Sequence, residues 1–385
     1  VDIGSTTLAA HLCELGSGEV LSSAGMMNPQ IRFGEDLMSR VSYVMLNQDG
    51  EKELTKSVRE ALNQLSLEVC EQAGIEKEEV MEMVMVGNPV MHHLVHGINP
   101  VELGGAPFAL ATDEAIITPA SKLDLQLHQL AQTYTLPCIA GHVGADTAAM
   151  VLAEAPHHQE AITLLVDVGT NAEIVLGNRD HLLAASSPTG PAFEGAQISS
   201  GQRAAPGAVE RVRIDPKTLE PRFRVIGSEC WSDDVSFAEE IKKTRVTGIC
   251  GSGIIEAIAE LYLCGIISQD GLFDESMMGR SNRIIKEGRT CSYLLHKGEP
   301  ELRITQNDIR AIQLAKAALY AGIRLLMDHL GIEEVQRIRL AGAFGSHIDV
   351  KYAMILGLIP DCDLDYVSSA GNAAGTGARM ALLNH

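Results

Sequence analysis

The strongest constraint on how this chain folds is a phrase written twice. Val1 to Thr7 reads VDIGSTT, and Val166 to Ala172 reads VDVGTNA. In each, an apolar, strand-like run ends in Asp-x-Gly and passes into hydroxyl or amide residues. VDIGSTTLAAHLCE and LLVDVGTNAEIVLGN both continue as a second strand and close on a glycine turn. Glycine in such a turn lets the backbone come close to a ligand. Successive N–H groups, helped by Ser or Thr hydroxyls, cradle a phosphate, and a carboxylate at the strand end holds Mg²⁺ through its waters. One Asp-x-Gly turn carries little weight. Two that open comparable halves of a chain imply duplicated lobes able to clamp a nucleotide's phosphates.

The rest of the chain narrows the chemistry. Its 385 residues suffice for two domains, and 46% hydrophobic against 21% charged residues describes a globular protein. No window approaches 18 consecutive apolar residues, so no membrane span is expected. A net charge of −20 argues against a nucleic-acid surface and leaves backbone N–H groups and a metal ion to hold any polyanion. None of the eight cysteines stands in a C-x₂-C or C-x₄-C spacing, which argues against a cluster or zinc site made by this chain and favours reduced thiols in a cytoplasmic protein. There is no G-x-x-x-x-G-K-[ST], and the GSG at Gly251 to Gly253 lacks the third glycine of a dinucleotide fingerprint. The chain opens on Val1 within an expected strand, which suggests a fragment whose N-terminus lies upstream.

Strand-like runs occupy Glu82–Val86, Pro137–Ala140, Leu164–Val168 and Arg337–Ala341, and helical patterns occupy Glu51–Ala73, Ala145–Glu154, Gly253–Cys264, Asp308–Leu330 and Ala373–Leu383. Thr305 is the expected N-cap of the fourth helix and Gly331 its stop. Strands alternating with helices predict an α/β protein with mainly mixed, helix-covered sheets.

In order, these motifs resemble the five signatures of the actin/DnaK-chaperone/sugar-kinase superfamily of ATPases. VDIGSTT is similar to the first phosphate loop and LLVDVGTNAEIVLG to the second. GHVGADTAAMVLAEA (Gly141 to Ala155) and SSAGNAAGTGARMALL (Ser368 to Leu383) resemble the two connecting helices, and RLAGAFGSHID (Arg339 to Asp349) the adenosine loop. The resemblance implies a two-lobed actin-like ATPase with ribonuclease H-like duplicated lobes and a nucleotide cleft. Residues 1–158 would form the first lobe, 159–365 the second, and 366–385 the second connecting helix returning to the first lobe. A narrower likeness covers NPQIRFGEDLMSR (Asn28 to Arg40), GNPVMHHLVHG (Gly87 to Gly97), GPAFEGAQISSGQRAAPGAVERV (Gly190 to Val212) and TGICGSGIIEAIAEL (Thr247 to Leu261). These resemble the C-terminal ATPase region of reductive activators of corrinoid proteins, in which a [2Fe–2S] ferredoxin domain precedes this region and ATP drives Co(II) to Co(I).

That resemblance implies ATP and Mg²⁺ as cofactors, with [2Fe–2S] confined to an upstream domain. Asp2 and Asp167 would hold Mg²⁺. Gly4, Ser5, Thr6 and Thr7 on one side and Gly169, Thr170 and Asn171 on the other would grip phosphate. Gly342, Ala343 and Gly345 would line adenosine, with Gly251, Ser252 and Glu256 nearby. Asp146 would orient the attacking water. The implied partners are a corrinoid protein or corrinoid-dependent methyltransferase and the family's own ferredoxin domain, with a homodimer as a further expectation. A small-molecule kinase of the same fold and a non-catalytic assembly or chaperone module are the alternatives.

Two other stretches attract attention. MHHLVH brings His92, His93 and His96 together, but without a third-ligand pattern or H-e-x-x-H they read as structural or surface histidines. The Gly- and Ser-rich SPTGPAFEGAQISSGQRAAPGA reads either as a flexible surface loop or as one that closes over a ligand or partner.

Overall fold

The computed structural model describes residues 1–34 and 36–384, with the side chains of Ala343 and Phe344 outside that description. The chain divides into two compact units. Unit 1 is Val1–Glu160, Asn178–Ala185 and Asn372–His385, and unit 2 is Ala161–Gly177 and Ser186–Gly371. The first segment of unit 1 ends at Glu160, near the expected lobe boundary at residue 158. The excursion Asn178–Ala185 belongs with unit 1 because Arg179 pairs with Glu160 at 3.0 Å and the Asn178 amide donates to the Glu160 carbonyl at 3.0 Å.

Unit 1 is built on six strands: β1 (Asp2–Ile3), β2 (Thr7–Cys13), β3 (Val20–Met27), β4 (Glu82–Gly87), β5 (Ile116–Pro119) and β6 (Gln132–Thr135). Their spatial order is β3-β2-β1-β4-β6-β5. β1 pairs antiparallel with β2 and parallel with β4, so Ile3 lies beside both Leu8 and Gly87. Helices α1 (Leu37–Leu46), α2 (Gly50–Ala73), α3 (Pro89–His96) and α4 (Ala145–Glu154) complete this part of the chain. α2 stops at Gly74, whose φ of 71° is the left-handed value that ends a helix with little strain for glycine. One core gathers Ile3, Leu8, Leu62, Leu65, Met85 and Met91 where α2 and α3 cover the sheet.

Unit 2 begins with β7 (Thr163–Val168), β8 (Ala172–Gly177) and the last two residues, Ser186 and Ser187, of β9 (Leu182–Ser187), continues through β10 (Ala208–Ile214), β11 (Pro221–Val225), α5 (Phe237–Glu240), β12 (Gly248–Ile249), α6 (Gly251–Leu263), β13 (Ile284–Glu287), β14 (Thr290–His296) and β15 (Leu302–Thr305), and ends with α7 (Gln306–Leu330), β16 (Arg337–Ala341), α8 (Gly342–His347), α9 (Val350–Ile355) and β17 (Val367–Gly371). The main sheet runs β17-β16-β7-β8-β9, and two three-stranded sheets run β11-β10-β12 and β13-β14-β15. α7 starts as expected: Thr305 accepts from the Asp308 N–H while Asp308 accepts from the Thr305 N–H, a reciprocal cap.

The last helix, α10 (Ala373–Leu383), packs on α4 and β4 within unit 1. The two helices cross so closely that a Cβ at Gly377 would run into the main chain of Ala149. Small residues on both helices (Ala145, Ala149, Ala374, Ala378) make that approach possible.

The expected strand at Pro137–Ala140 is absent; this stretch holds only an isolated bridge from Ala140 to Val143. The strand is instead Gln132–Thr135, paired with β4 and β5, because its two buried threonines, Thr133 and Thr135, alternate with outward residues while Pro137 lacks an N–H to donate.

Candidate functional site

The first repeated turn joins β1 to β2. Its carbonyls are taken up from one side. The Asn28 side-chain amide donates to the Gly4 oxygen at 2.8 Å, Arg40 donates through Nη2 to the Ser5 oxygen, and the Asn28 N–H donates to the Thr6 oxygen at 2.9 Å. In a trans peptide the N–H points opposite to the C=O of the same plane. Fixing the Gly4 and Ser5 carbonyls therefore aims the Ser5 and Thr6 N–H groups away from the scaffold. Neither has a backbone partner among the described residues. The Ser5 hydroxyl receives the Asn88 amide at 3.0 Å and keeps its own proton to donate.

The scaffold behind this turn is unusually polar for a core. Asn28 and Arg40 are fully buried. Asn28 caps the short 3₁₀ helix Pro29–Phe33, accepting from the Gln30 N–H at 3.0 Å. Arg40, on α1, also donates to the Gly34 oxygen at 3.1 Å and to Gln30 Oε1 at 3.2 Å. Burial lowers the Arg40 pKa to about 10, which leaves it charged at neutral pH.

The second turn, between β7 and β8, repeats this construction with different residues. The Thr189 hydroxyl lies 3.0 Å from the Gly169 oxygen and 3.1 Å from the Thr170 oxygen, and the Gly190 N–H donates to the Thr170 oxygen at 2.9 Å. The same peptide-plane argument aims the Thr170 and Asn171 N–H groups outward, again without backbone partners among the described residues. The Thr170 hydroxyl donates to Glu194 at 3.0 Å.

Each turn has a carboxylate at its strand end. Asp2 is half-buried in β1 and Asp167 half-buried in β7. Asp146, in the first turn of α4, stands beside the end of β4: a Cβ at Gly144 would meet the Gly87 oxygen, the Asn88 Cα and Asp146 Oδ1. Loss of surrounding water raises the Asp146 pKa to about 6, against the pull of the Thr147 N–H at 2.7 Å. Asp2, the first turn and Asp146 therefore share one end of the unit 1 sheet.

In unit 2, β16 runs parallel to β7 with Ala341 opposite Asp167, and Gly342 follows at φ 75°. A side chain there would be strained and would collide with Asp167 Oδ1, so glycine lets the carboxylate lie against the main chain at the end of β16. Gly345 is buried, and its missing side chain lets α8 close on the Leu340 backbone. Ala343 lies within α8, its side chain outside the description. Gly251 and Ser252 begin α6 but are buried, with the Ser252 hydroxyl 3.3 Å from the Cys250 sulfur.

Glu256, expected near the nucleotide, follows in the same helix. It is fully buried, accepting from Arg211 at 2.8 Å, from Arg213 at 2.5 Å and from the Val212 N–H at 2.8 Å. Both oxygens are engaged inside unit 2, where they anchor two partly exposed guanidinium groups on β10. Sequence reading missed these arginines, as it missed Arg40, Asn28, Thr189 and Glu194. Asn28, Arg40, Glu194, Arg211 and Val212 stand within the stretches that carry the narrower likeness, and that was the available signal.

His92 and His93 prove buried, and both ring nitrogens of His92 lack hydrogen-bond partners among the described residues. His96 meets the Thr135 hydroxyl at 2.9 Å. No group of three or more His, Cys, Asp or Glu residues able to hold a metal occurs among the described residues. No helix among them is long and apolar enough to cross a membrane. The Gly- and Ser-rich stretch is partly ordered: Pro191–Glu194 is a 3₁₀ helix anchored by the buried Phe193.

Two units, each closing its central sheet with an Asp-x-Gly turn whose amides face outward, fit the actin-like ASKHA fold. Within that class the chain belongs to the RACo family. The profile described as the C-terminal domain of RACo, the ASKHA domain, matches residues 161–385, and that of the RACo middle region matches residues 1–159. The corrinoid activation enzyme RamQ of Eubacterium limosum is 36% identical over 100% of this chain and 63% of its own length. A [Co(II) methylated amine-specific corrinoid protein] reductase of Methanosarcina barkeri is 26% identical over 94% of this chain and 65% of its own. A solved structure of a reductive activator for corrinoid, iron-sulfur protein is 35% identical with a TM-score of 0.84, covering 100% of this chain and 59% of that one. The chain thus spans a little under two thirds of the relatives it matches.

Proposed function

We propose that this chain is the ATP-binding and ATP-hydrolysing part of a reductive activator that returns a corrinoid protein from Co(II) to Co(I). The observation that carries the reading is the shared build of the two turns, whose carbonyls are saturated from behind and whose N–H groups face outward without backbone partners. Such amides suit phosphate oxygens. Ser5, Thr6, Thr170 and Asn171 are the residues whose N–H groups take phosphate, with Gly4, Thr7 and Gly169 shaping the turns.

The donor set near the turns suits Mg²⁺. Asp2 and Asp167 supply carboxylates at the two strand ends, and the bare Gly342 lets the Asp167 carboxylate sit at the end of β16. Bound there through its waters, the ion would neutralise phosphate charge. The chain's own part is to orient the nucleotide and exclude misplaced conformers.

The partner is a corrinoid protein or corrinoid-dependent methyltransferase, and the electron comes from a ferredoxin-type [2Fe–2S] domain rather than from a cluster of this chain. The relatives' names support the first part. A bias of about 5.5 kcal/mol moves a two-state equilibrium from 1:99 to 99:1. For one electron that is roughly 240 mV, a size that ATP coupling can supply.

Association with the corrinoid protein of the same organism tests the reading. An activator must bind the inactive state and leave the active one, so affinity should be higher for Co(II) than for Co(I), and ATP should shift it. Equal affinity in both cobalt states, or phosphorylation of a small metabolite at an ordinary enzymic rate, would refute it.

A further inference from the structure

The hydrogen bond between Thr170 and Glu194 has a chemical consequence. A Thr hydroxyl has one proton and two lone pairs. In the second turn that proton is directed to Glu194 Oε1 at 3.0 Å. While this bond stands, the Thr170 oxygen presents only lone pairs to whatever lies in front of the turn. It would repel a phosphate oxygen and attract the hydrogen of a water. The Thr170 N–H, by contrast, faces outward as a donor. One residue thus offers its amide to an anion and its side-chain oxygen to a water.

The arrangement is built rather than incidental. Glu194 closes the 3₁₀ helix Pro191–Glu194, and the helix is held by Phe193 and Ala192, both almost wholly buried. Gly195 follows at φ 85°, and a Cβ there would strike the Gln202 main chain. Upstream, Thr189 and Gly190 fasten the same segment to the carbonyls of Gly169 and Thr170. The carboxylate and the turn therefore form one rigid piece. In a chain of net charge −20, a carboxylate against a phosphate-binding turn works against anion binding, unless it has a task there.

We propose that Thr170 and Glu194 are the proton-accepting arm of the hydrolytic site. This rests on the reading of the chain as an ATPase. Thr170 Oγ accepts a hydrogen bond from the attacking water. As the water oxygen bonds to the γ-phosphorus, the bond from that phosphorus to the bridging oxygen breaks and ADP leaves with its electron pair. One water proton passes to Thr170 Oγ while the Thr170 proton passes to Glu194, which later releases it to phosphate or solvent. Positioned proton acceptors of this kind contribute about a hundredfold or more to rate. Asp146 is the rival for this task, since its pKa near 6 also suits proton transfer.

The test compares Glu194→Gln, Thr170→Val, Thr170→Ser, the double variant Glu194→Gln/Thr170→Val, and Asp146→Asn in the full chain. Mg-ATP affinity is read by calorimetry and turnover by phosphate release. Glu194→Gln should lower kcat about a hundredfold while Mg-ATP affinity holds or tightens, because an amide can donate to Thr170 and turn its proton toward phosphate. Thr170→Val should match that loss, the double variant should lose no more than either single change, and Thr170→Ser should lose less than about tenfold. Wild-type kcat in Glu194→Gln, additive losses in the double variant, or a loss of kcat in Asp146→Asn alone would overturn the proposal. A wild-type chain that neither binds nor hydrolyses ATP would instead remove the ATPase reading beneath it.

Discussion

Arg40, wholly buried on α1, donates to the main-chain carbonyl of Ser5 in the first repeated turn. The bond fixes the peptide plane that aims the Thr6 N–H outward. The guanidinium does this as one fork, reaching Gly34 and Gln30 with its other nitrogens. A lysine cannot reproduce that geometry. Arg40→Lys should therefore keep the fold, lower stability by about 1–3 kcal/mol, and weaken Mg-ATP binding at least several-fold. Urea unfolding and calorimetry check this together. Unchanged nucleotide affinity in a folded Arg40→Lys variant would show that the turn does not depend on its brace.

The histidines of α3 make unit 1 acid-sensitive. Burial, with help from the neighbouring imidazoles, lowers the His92 pKa to about 3; burial and the Arg59 charge lower that of His96 to about 4; and His93 is lowered by burial. Unfolded histidines titrate near 6.5. The folded state thus binds fewer protons, so this contribution is complete above about pH 6.5 and is lost as pH falls toward 4 and 3. Replacing His92, whose ring nitrogens have no hydrogen-bond partners among the described residues, by Leu should cost little at pH 7.5. The variant should gain on the wild type by on the order of 2 kcal/mol at pH 4.5. Across this range the variant's unfolding midpoint should rise relative to the wild type as pH falls, overtaking it before pH 4.5; parallel curves would contradict the assignment.

The crossing of α4 and α10 gives a packing test. Gly377→Ala places a methyl against the Ala149 main chain, which cannot swing aside as a side chain would. The expected cost is about 1–3 kcal/mol. Gly105→Ala is the control, since a Cβ there meets nothing within 4 Å and its φ of −146° suits any residue. Equal stability of the two variants in chemical denaturation would show that the helices are not in close contact.

Local chemistry explains which parts of the fold were readable. α4 and α10 occupy the expected Ala145–Glu154 and Ala373–Leu383, and α7 begins beside the expected Thr305 cap, because helix period and capping are written within a few residues. The misread strand at Pro137–Ala140 shows the opposite case: an apolar run lost to QTYT, whose pairing with β4 and β5 is tertiary. At the turns, the Asp-x-Gly phrases announce themselves. Their supports do not, because Asn28 and Arg40 lie far along the chain from Gly4 and Ser5, and Thr189 and Glu194 from Thr170. The surroundings of Glu256 were hidden for the same reason, since nothing in its neighbourhood in sequence reveals that Arg211 and Arg213 pair with it.

The central claim is that the outward-facing amides of the repeated turn take the phosphates of Mg-ATP, and Asp167, at the second copy, tests it most directly. Its carboxylate faces the bare Gly342 at the end of β7 rather than the core, so Asp167→Ala should leave the fold intact. Removing it takes away the oxygen that tethers the ion and leaves phosphate charge uncompensated. Calorimetric titration with ATP, with and without Mg²⁺, should give binding by the wild-type chain that needs the ion, and should show the ion's contribution gone in Asp167→Ala along with ATP hydrolysis. Undiminished, Mg²⁺-dependent binding and normal turnover in that variant would contradict the account.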